Sequence, residues 1–215
     1  MMFPMITAEL SKRWCSSELK IDVCSIAINN QTRFHNKKVL VITGERAEES
    51  ANRARYNEYE PHRTDARDGR LKRLVDHFRP VLRWTTQKIW EIIERWKITA
   101  HPAYYLGWGR VSCKFCIFGS DDQFASAAFV SPAIADKIDY YEKLFGKTIK
   151  AVTKTVKKEK VLIQRSIMDV IKNGTAYVMQ AEWITQGISK KWYVPIVLEN
   201  WELPKGAYGE SCGPT

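Results

Sequence analysis

The chain has 215 residues, 45% hydrophobic and 12% aromatic, enough to bury the core of one sizeable domain or of a domain with an appendage, and too apolar to stay disordered. Its formal charge of +10 at pH 7 draws polyanions such as nucleotides and nucleic acid, although solubility alone also accounts for it. Five cysteines, no signal-peptide pattern in Met1–Ile6 and no apolar stretch of membrane length argue against a disulfide framework and a membrane protein, and point to a reduced, cytoplasmic chain.

The first segment that carries chemistry is Trp14-Cys15-Ser16-Ser17-Glu18-Leu19-Lys20. Trp14 and Leu19 can shield the Cys15 thiol while Lys20 supplies positive charge. Cys24, between Val23 and Ser25, reads as a small buried hydrophobe. Lys38-Val-Leu-Val-Ile-Thr43 is the clearest strand, and its run of aliphatic residues suits a parallel sheet buried on both faces. After Gly44, the stretch Arg46–Arg55 reads as a helix, acidic in its first turn and basic in its last. Backbone N–H groups at such a helix start attract an anion, and Arg46 can add a bidentate grip. Arg53, two helical turns on, would share its face, with an ordinary Glu49–Arg53 pair as the plainer alternative.

Residues 56 to 79 read as a polar surface loop. Thr85 or Thr86 caps the next helix, with Ile89, Ile92, Ile93 and Trp96 on its apolar side and His101-Pro102 at its end. Then comes Cys113-Lys114-Phe115-Cys116. This C-x₂-C spacing lets two thiolates face one metal or cluster, and three cysteines can hold zinc with one open position or a four-iron cluster with one open iron. His35, His62 and His77 have no spacing that suggests a shared metal. Ser131-Pro132 opens a helix over Ile134, Ile138, Tyr141 and Phe145, which stops at Gly146. The lysines of 147–160 read as a solvated face, with a nucleic-acid patch as the alternative. A further helix is expected over Val161–Lys172. The tail holds Trp183, Trp192 and Trp201 and closes on Glu210-Ser-Cys212-Gly, an accessible thiol.

Taken in order, these segments resemble the sulfonucleotide reductases, the PAPS and APS reductases and their phage- and plasmid-borne relatives within the adenine-nucleotide α-hydrolase-like, PP-loop group. The resemblance rests on Cys15 with Lys20; on Thr43, Gly44, Arg46, Ser50 and Arg53 in a T-G-x-R-x-x-x-S-x-x-R pattern; on Pro80, Trp84 and Trp90; and on His101, Pro102, Tyr104, Cys113 and Cys116. It covers roughly residues 3 to 120.

The resemblance implies an α/β fold with a partial doubly wound parallel sheet over residues 1–120, followed by a mostly helical, basic extension over 121–215. It implies that Lys20, Arg46, Ser50 and Arg53 hold the phosphosulfate, that Cys212 is the catalytic thiol, and that Cys15, Cys113 and Cys116 hold a 4Fe-4S cluster, with zinc as the alternative. A thioredoxin-like reductant would restore the thiol.

Three departures stand out. Ser16 replaces the second cysteine of the upstream pair, so a fourth ligand would be Cys212 or Cys24, or absent. A serine interrupts the Glu-Cys-Gly terminus. The family's Ser-Gly-Gly-x-Asp-Ser phosphate loop is not in the chain, so a homo-oligomer or a separate phosphate-loop subunit is expected to cover the sheet edge. The alternatives carried forward are PP-loop-type sulfur insertion into DNA or tRNA, and a non-catalytic nucleotide- or nucleic-acid-binding accessory protein.

Overall fold

The computed structural model describes residues 14–70, 72–156 and 159–209. They fall into two compact units, one ending at Ile89 and the other beginning at Trp90.

In the first unit α1 (Trp14–Ser16) passes through a π-helical turn, Ser17–Ile21, into α2 (Asp22–Asn30). Three strands follow: β1 (Lys38–Ile42), β2 (Tyr59–Pro61) and β3 (Leu74–Phe78), in the sheet order β1-β3-β2. β1 and β3 are parallel, in register from Lys38↔Leu74 to Ile42↔Phe78, and β2 lies antiparallel along the far side of β3. Among the described residues the protein is therefore mixed α/β, with one parallel pair rather than a doubly wound parallel sheet. Leu40 and Ile42 of β1 remain exposed.

Two expectations are corrected here. Residues 56 to 79 are not a surface loop: they contain β2 and β3. The apolar alternation that marks a strand is missing from Leu74-Val-Asp-His-Phe because its polar side chains are satisfied by partners distant in sequence. Arg67 bridges Asp65 at 2.6 Å and Asp76 at 2.8 Å, and the other Asp65 oxygen accepts the Val75 N–H at 2.7 Å. The stretch Arg46–Arg55 is not one helix either. It forms two separate 3₁₀ turns, Ala47–Glu49 and Arg53–Arg55, with extended backbone at Ser50 between them.

α3 (Thr86–Arg95) runs from the end of the first unit into the second. Its buried residue is Trp90, whereas Trp96, expected on the apolar stripe, is exposed. The helix ends at Arg95, and Lys97 turns left-handed at φ 50°, which takes Trp96 off the helical period.

α4 (Pro102–Tyr105) starts with Pro at its first turn, where His101 Nδ1 accepts the Ala103 N–H at 3.2 Å. α5 (Asp121–Val130) opens on a capping box made by Ser120 and Gln123. α6 (Pro132–Phe145) ends as expected, on Gly146 at φ 60°. Next come β4 (Lys150–Val156) and β5 (Glu159–Arg165), an antiparallel hairpin standing where a lysine-rich surface and the start of a helix were expected. The helix that follows, α7 (Ile167–Asn173), begins later than expected, after Ser166 caps it by accepting the Asp169 N–H at 3.1 Å. α8 (Ala181–Ile188) follows.

The apolar core of this unit joins Leu106, Trp108, Val130 and Trp183 in one cluster and Phe124, Ile149, Ile167 and Val170 in another. Tyr105 stacks on Trp183 with ring centroids 3.7 Å apart.

Two buried charges tie the second unit together. Glu142 of α6, 5% exposed, accepts the N–H of Ile149 at 3.0 Å and of Ile167 at 2.7 Å. Burial raises its carboxyl above the ordinary range, and the two backbone hydrogen bonds only partly offset this. Lys150, far from solvated, buries its ammonium against the carbonyls of Ile117 and Gly119 and the ring of Phe124. It thereby anchors the loop that follows Cys116.

Candidate anion site and thiol cleft

The carboxyl ends of parallel strands are where α/β sheets place ligands, and Thr43 to Arg46 leave β1 at that end. Thr43 keeps the sheet contact by donating its N–H to Phe78 O at 3.1 Å, and Ala47 N–H donates to Leu82 O at 2.8 Å. Between these anchors the side chains of Thr43 and Glu45 meet His77 and Arg79. Thr43 Oγ1 lies 3.1 Å from Glu45 Oε2 and 2.8 Å from His77 Nε2. Arg79 donates from Nε to Glu45 Oε2 at 2.7 Å, and its Nη2 lies 3.0 Å from His77 Nδ1. Its Nη1 reaches Asn57 O at 2.7 Å and Glu60 Oε1 at 2.8 Å, and its guanidinium stacks over Tyr56 at 4.7 Å.

Arg79 is 5% exposed, so a buried charge is neutralised by two carboxylates from different strands' ends. Burial works to raise the Glu45 carboxyl, but hydrogen bonds from Arg79 and Thr43 outweigh it and hold it below the ordinary range. Burial lowers His77, with Arg79 adding to it, and burial followed by the neighbouring His77 lowers His62, whose ring stands 5.4 Å away.

Arg46 and Arg53, expected on one helical face, instead converge on one carboxylate. Glu49 meets Arg53 Nη1 at 2.5 Å and Arg46 Nε at 3.6 Å. Arg46 Nη1 also donates to Thr86 Oγ1 at 3.0 Å and lies 3.4 Å from Glu48. Glu48 in turn accepts the N–H of Thr86 at 2.8 Å at the start of α3. Ser50 Oγ accepts the Arg53 N–H at 3.2 Å. Two predicted residues, Arg46 and Arg53, thus meet on Glu49, and the third, Ser50, holds the Arg53 backbone. Lys20 is exposed in the Ser17–Ile21 turn, Cys15 is half-buried on α1, and Cys24 is exposed rather than buried.

In the second unit Cys113 is exposed and Cys116 half-buried, both as free thiols. Cys113 lines an open cleft of about 80 Å³ with His101, Leu106, Trp108, Lys114 and Val130. Lys114 Nζ donates to Ser131 Oγ at 2.7 Å, and burial lowers both Lys114 and His101. Among the described residues no three His, Cys, Asp or Glu side chains gather into a metal-binding group. Zinc and iron–sulfur centres take three or four protein ligands, so the described residues do not by themselves form one. Cys212 lies outside the described residues.

His77, Arg79, Glu45 and Glu60 escaped the sequence reading. A signal was present: Val75, His77 and Arg79 alternate, which in a strand places them on one side of the sheet. The polar composition of the stretch concealed the strand that makes the alternation meaningful.

Fold and site together define a mixed α/β domain whose parallel strands end on a guanidinium-rich loop suited to anions. A family model, Phosphoadenosine phosphosulfate reductase domain, matches residues 7–118. The chain belongs to that family. It is also similar to an uncharacterized 37.8 kDa protein in the gpa 5′ region of Escherichia phage 186, with 29% identity over 132 residues, which is 61% of this chain and 38% of the phage protein. The chain therefore spans well under half of that relative's length. No solved structure matches the chain. Among the described residues no helix is long and apolar enough to cross a membrane.

Proposed function

We propose that the protein acts on an adenylyl-sulfate nucleotide, as a sulfonucleotide reductase or as one subunit of such an enzyme. The observation that carries the reading is the convergence of Arg46 and Arg53 on the Glu49 carboxylate, with the Ser50 hydroxyl on the Arg53 N–H, next to the carboxyl end of a parallel strand pair. Glu49 occupies the place that a phosphate or sulfate would take, because two guanidiniums already turned toward one carboxylate are turned toward an anion. Lys20 adds positive charge in this reading.

Cys212 supplies the thiolate. It bonds to the sulfonate sulfur, the sulfur–oxygen bond to the phosphate breaks and the nucleotide leaves. A thioredoxin-like dithiol then displaces sulfite and is itself oxidised to the disulfide. The reading extends to an iron–sulfur centre on Cys15, Cys113 and Cys116, with zinc as the alternative, and to a homo-oligomer or a separate phosphate-loop subunit.

Sulfite release from adenosine 5′-phosphosulfate or its 3′-phosphorylated form, with a dithiol reductant and with the assembly that carries the phosphate loop, is the test. Sulfite that disappears in Cys212→Ser supports the reading, and a wild-type assembly that releases none rejects it. Iron, sulfide and zinc analysis after anaerobic purification tests the metal separately. Metal content near zero in active protein removes the centre from the reading.

A further inference from the structure

The half-buried contacts among Arg79, His77, Thr43 and Glu45 close into a ring with a single consistent set of donors. A guanidinium only donates, so His77 Nδ1 accepts from Arg79 Nη2 at 3.0 Å. The proton of the neutral imidazole is then on Nε2, which donates to Thr43 Oγ1 at 2.8 Å. Thr43 passes its own hydroxyl proton toward Glu45 Oε2 at 3.1 Å, and Glu45 accepts from Arg79 Nε at 2.7 Å. The ring fixes Thr43 and Glu45 on either side of Gly44. Gly44 itself needs no special conformation, and the space around it is open, so its own packing does not hold this turn. The ring and the Ala47–Leu82 backbone bond hold it instead.

We propose that His77 and Arg79 are positioning residues for the Thr43–Arg46 segment, and that protonation of His77 opens the ring and releases the segment, so that the anion site is built at neutral pH and loosened in mild acid. The consequence for anion binding rests on the sulfonucleotide reading, while the ring and its opening do not.

The physical cause is the loss of an acceptor. A doubly protonated imidazole donates from both nitrogens, which turns an N–H toward the Arg79 guanidinium and places two cations face to face. The charged and titratable groups facing His77 are Arg79 beside it after β3, Glu45 from the loop after β1 at 3.8 Å, Glu60 from β2, and His62, 5.4 Å away between ring centroids. Burial first and Arg79 second hold His77 below its ordinary value, against the pull of Glu45 and Glu60. The ring is therefore intact above about pH 6.5 and fails as the pH falls through the lowered value.

Imidazole ¹⁵N NMR on the full chain tests the ring directly. The expected result at pH 7.5 is a neutral His77 with its proton on Nε2, and a titration that carries the Thr43–Arg46 amide signals with it. A proton on Nδ1, or amides that ignore the titration, would overturn the proposal.

Calorimetric binding of adenosine 5′-phosphosulfate, whose phosphosulfate stays ionised in mild acid, is then compared at pH 7.5 and at a pH below the His77 titration that the NMR reads. Wild type is expected to lose about tenfold in affinity in acid, the scale of one lost hydrogen bond. His77→Asn, which keeps an acceptor toward Arg79 and cannot titrate, is expected to flatten that dependence. Thr43→Val should weaken binding at both pH values, and Thr43→Ser should restore it. An acid loss that persists in His77→Asn overturns the switch. If the NMR coupling holds and the assembly that carries the phosphate loop binds no nucleotide at pH 7.5, the sulfonucleotide reading fails while the positioning role stands.

Discussion

Arg79 and Glu142 answer the same physical problem in opposite ways. Each is a charge placed in the interior, where an unpaired ion is costly. Arg79 is neutralised by Glu45 and Glu60. Glu142 accepts two backbone N–H groups, and burial raises its pKa. Replacing Glu142 by Gln keeps one accepting oxygen and turns a donor toward the second N–H. The expected cost is about 1–3 kcal/mol for the orphaned group, read as a lower midpoint in urea denaturation. A midpoint equal to wild type would mean that the Ile149 and Ile167 amides find other partners. Neither residue was legible as special in the sequence, since a lone Glu in an amphipathic helix and a lone Arg beside a proline look like surface charges. Cys113-x₂-Cys116 and Thr43-Gly-x-Arg46 were legible as motifs, because their spacing is local.

At the scale of elements, α6 was read from its local start and stop signals, α5 and the start of α7 were missed despite their serine caps, and strands that depend on distant partners were missed. Ser131-Pro132 and Gly146 bound α6 as expected, because capping is local physics. β3 was missed because its polar side chains are tolerable only once Arg67, Thr43 and Glu45 arrive from elsewhere in the chain. The Arg46–Arg55 stretch was misread as one helix, since Glu48 and Glu49 are drawn to Thr86, Arg46 and Arg53 and break it into two turns.

Close packing between elements is likewise invisible in sequence. Gly174, just after α7, lies so near the start of α5 that a Cβ there would collide with the carbonyl of Asp121. Gly174→Ala is therefore expected to destabilise the protein by about 1–3 kcal/mol, because the obstacle is backbone and cannot swing aside. Thermal unfolding of the variant checks this, and an unchanged midpoint would show that the two helix ends can separate without cost.

For the whole molecule, the two units differ in what holds them. The second gathers the larger apolar clusters, while the first leans on ion pairs and histidines kept neutral inside it. His62 and His77 both have lowered values, with burial the first cause in each, so the unprotonated forms stabilise the first unit above about pH 6.5. That contribution is lost as the pH falls through their folded values. Hydrogen exchange at pH 5.5 against pH 7.5, corrected for intrinsic rates, is expected to show protection falling at β1 and β3; equal protection would contradict the neutral assignment.

By itself the sequence determined the family, the mixed α/β class and the thiol spacing, because each is encoded in neighbouring residues. The Glu49–Arg53 pair was legible as well, as i,i+4 neighbours, whereas only the tertiary structure decided that His77 and Arg79 lock Thr43 and Glu45. Those contacts join residues up to 34 positions apart, where the pairing of strands, and not local preference, selects the partner.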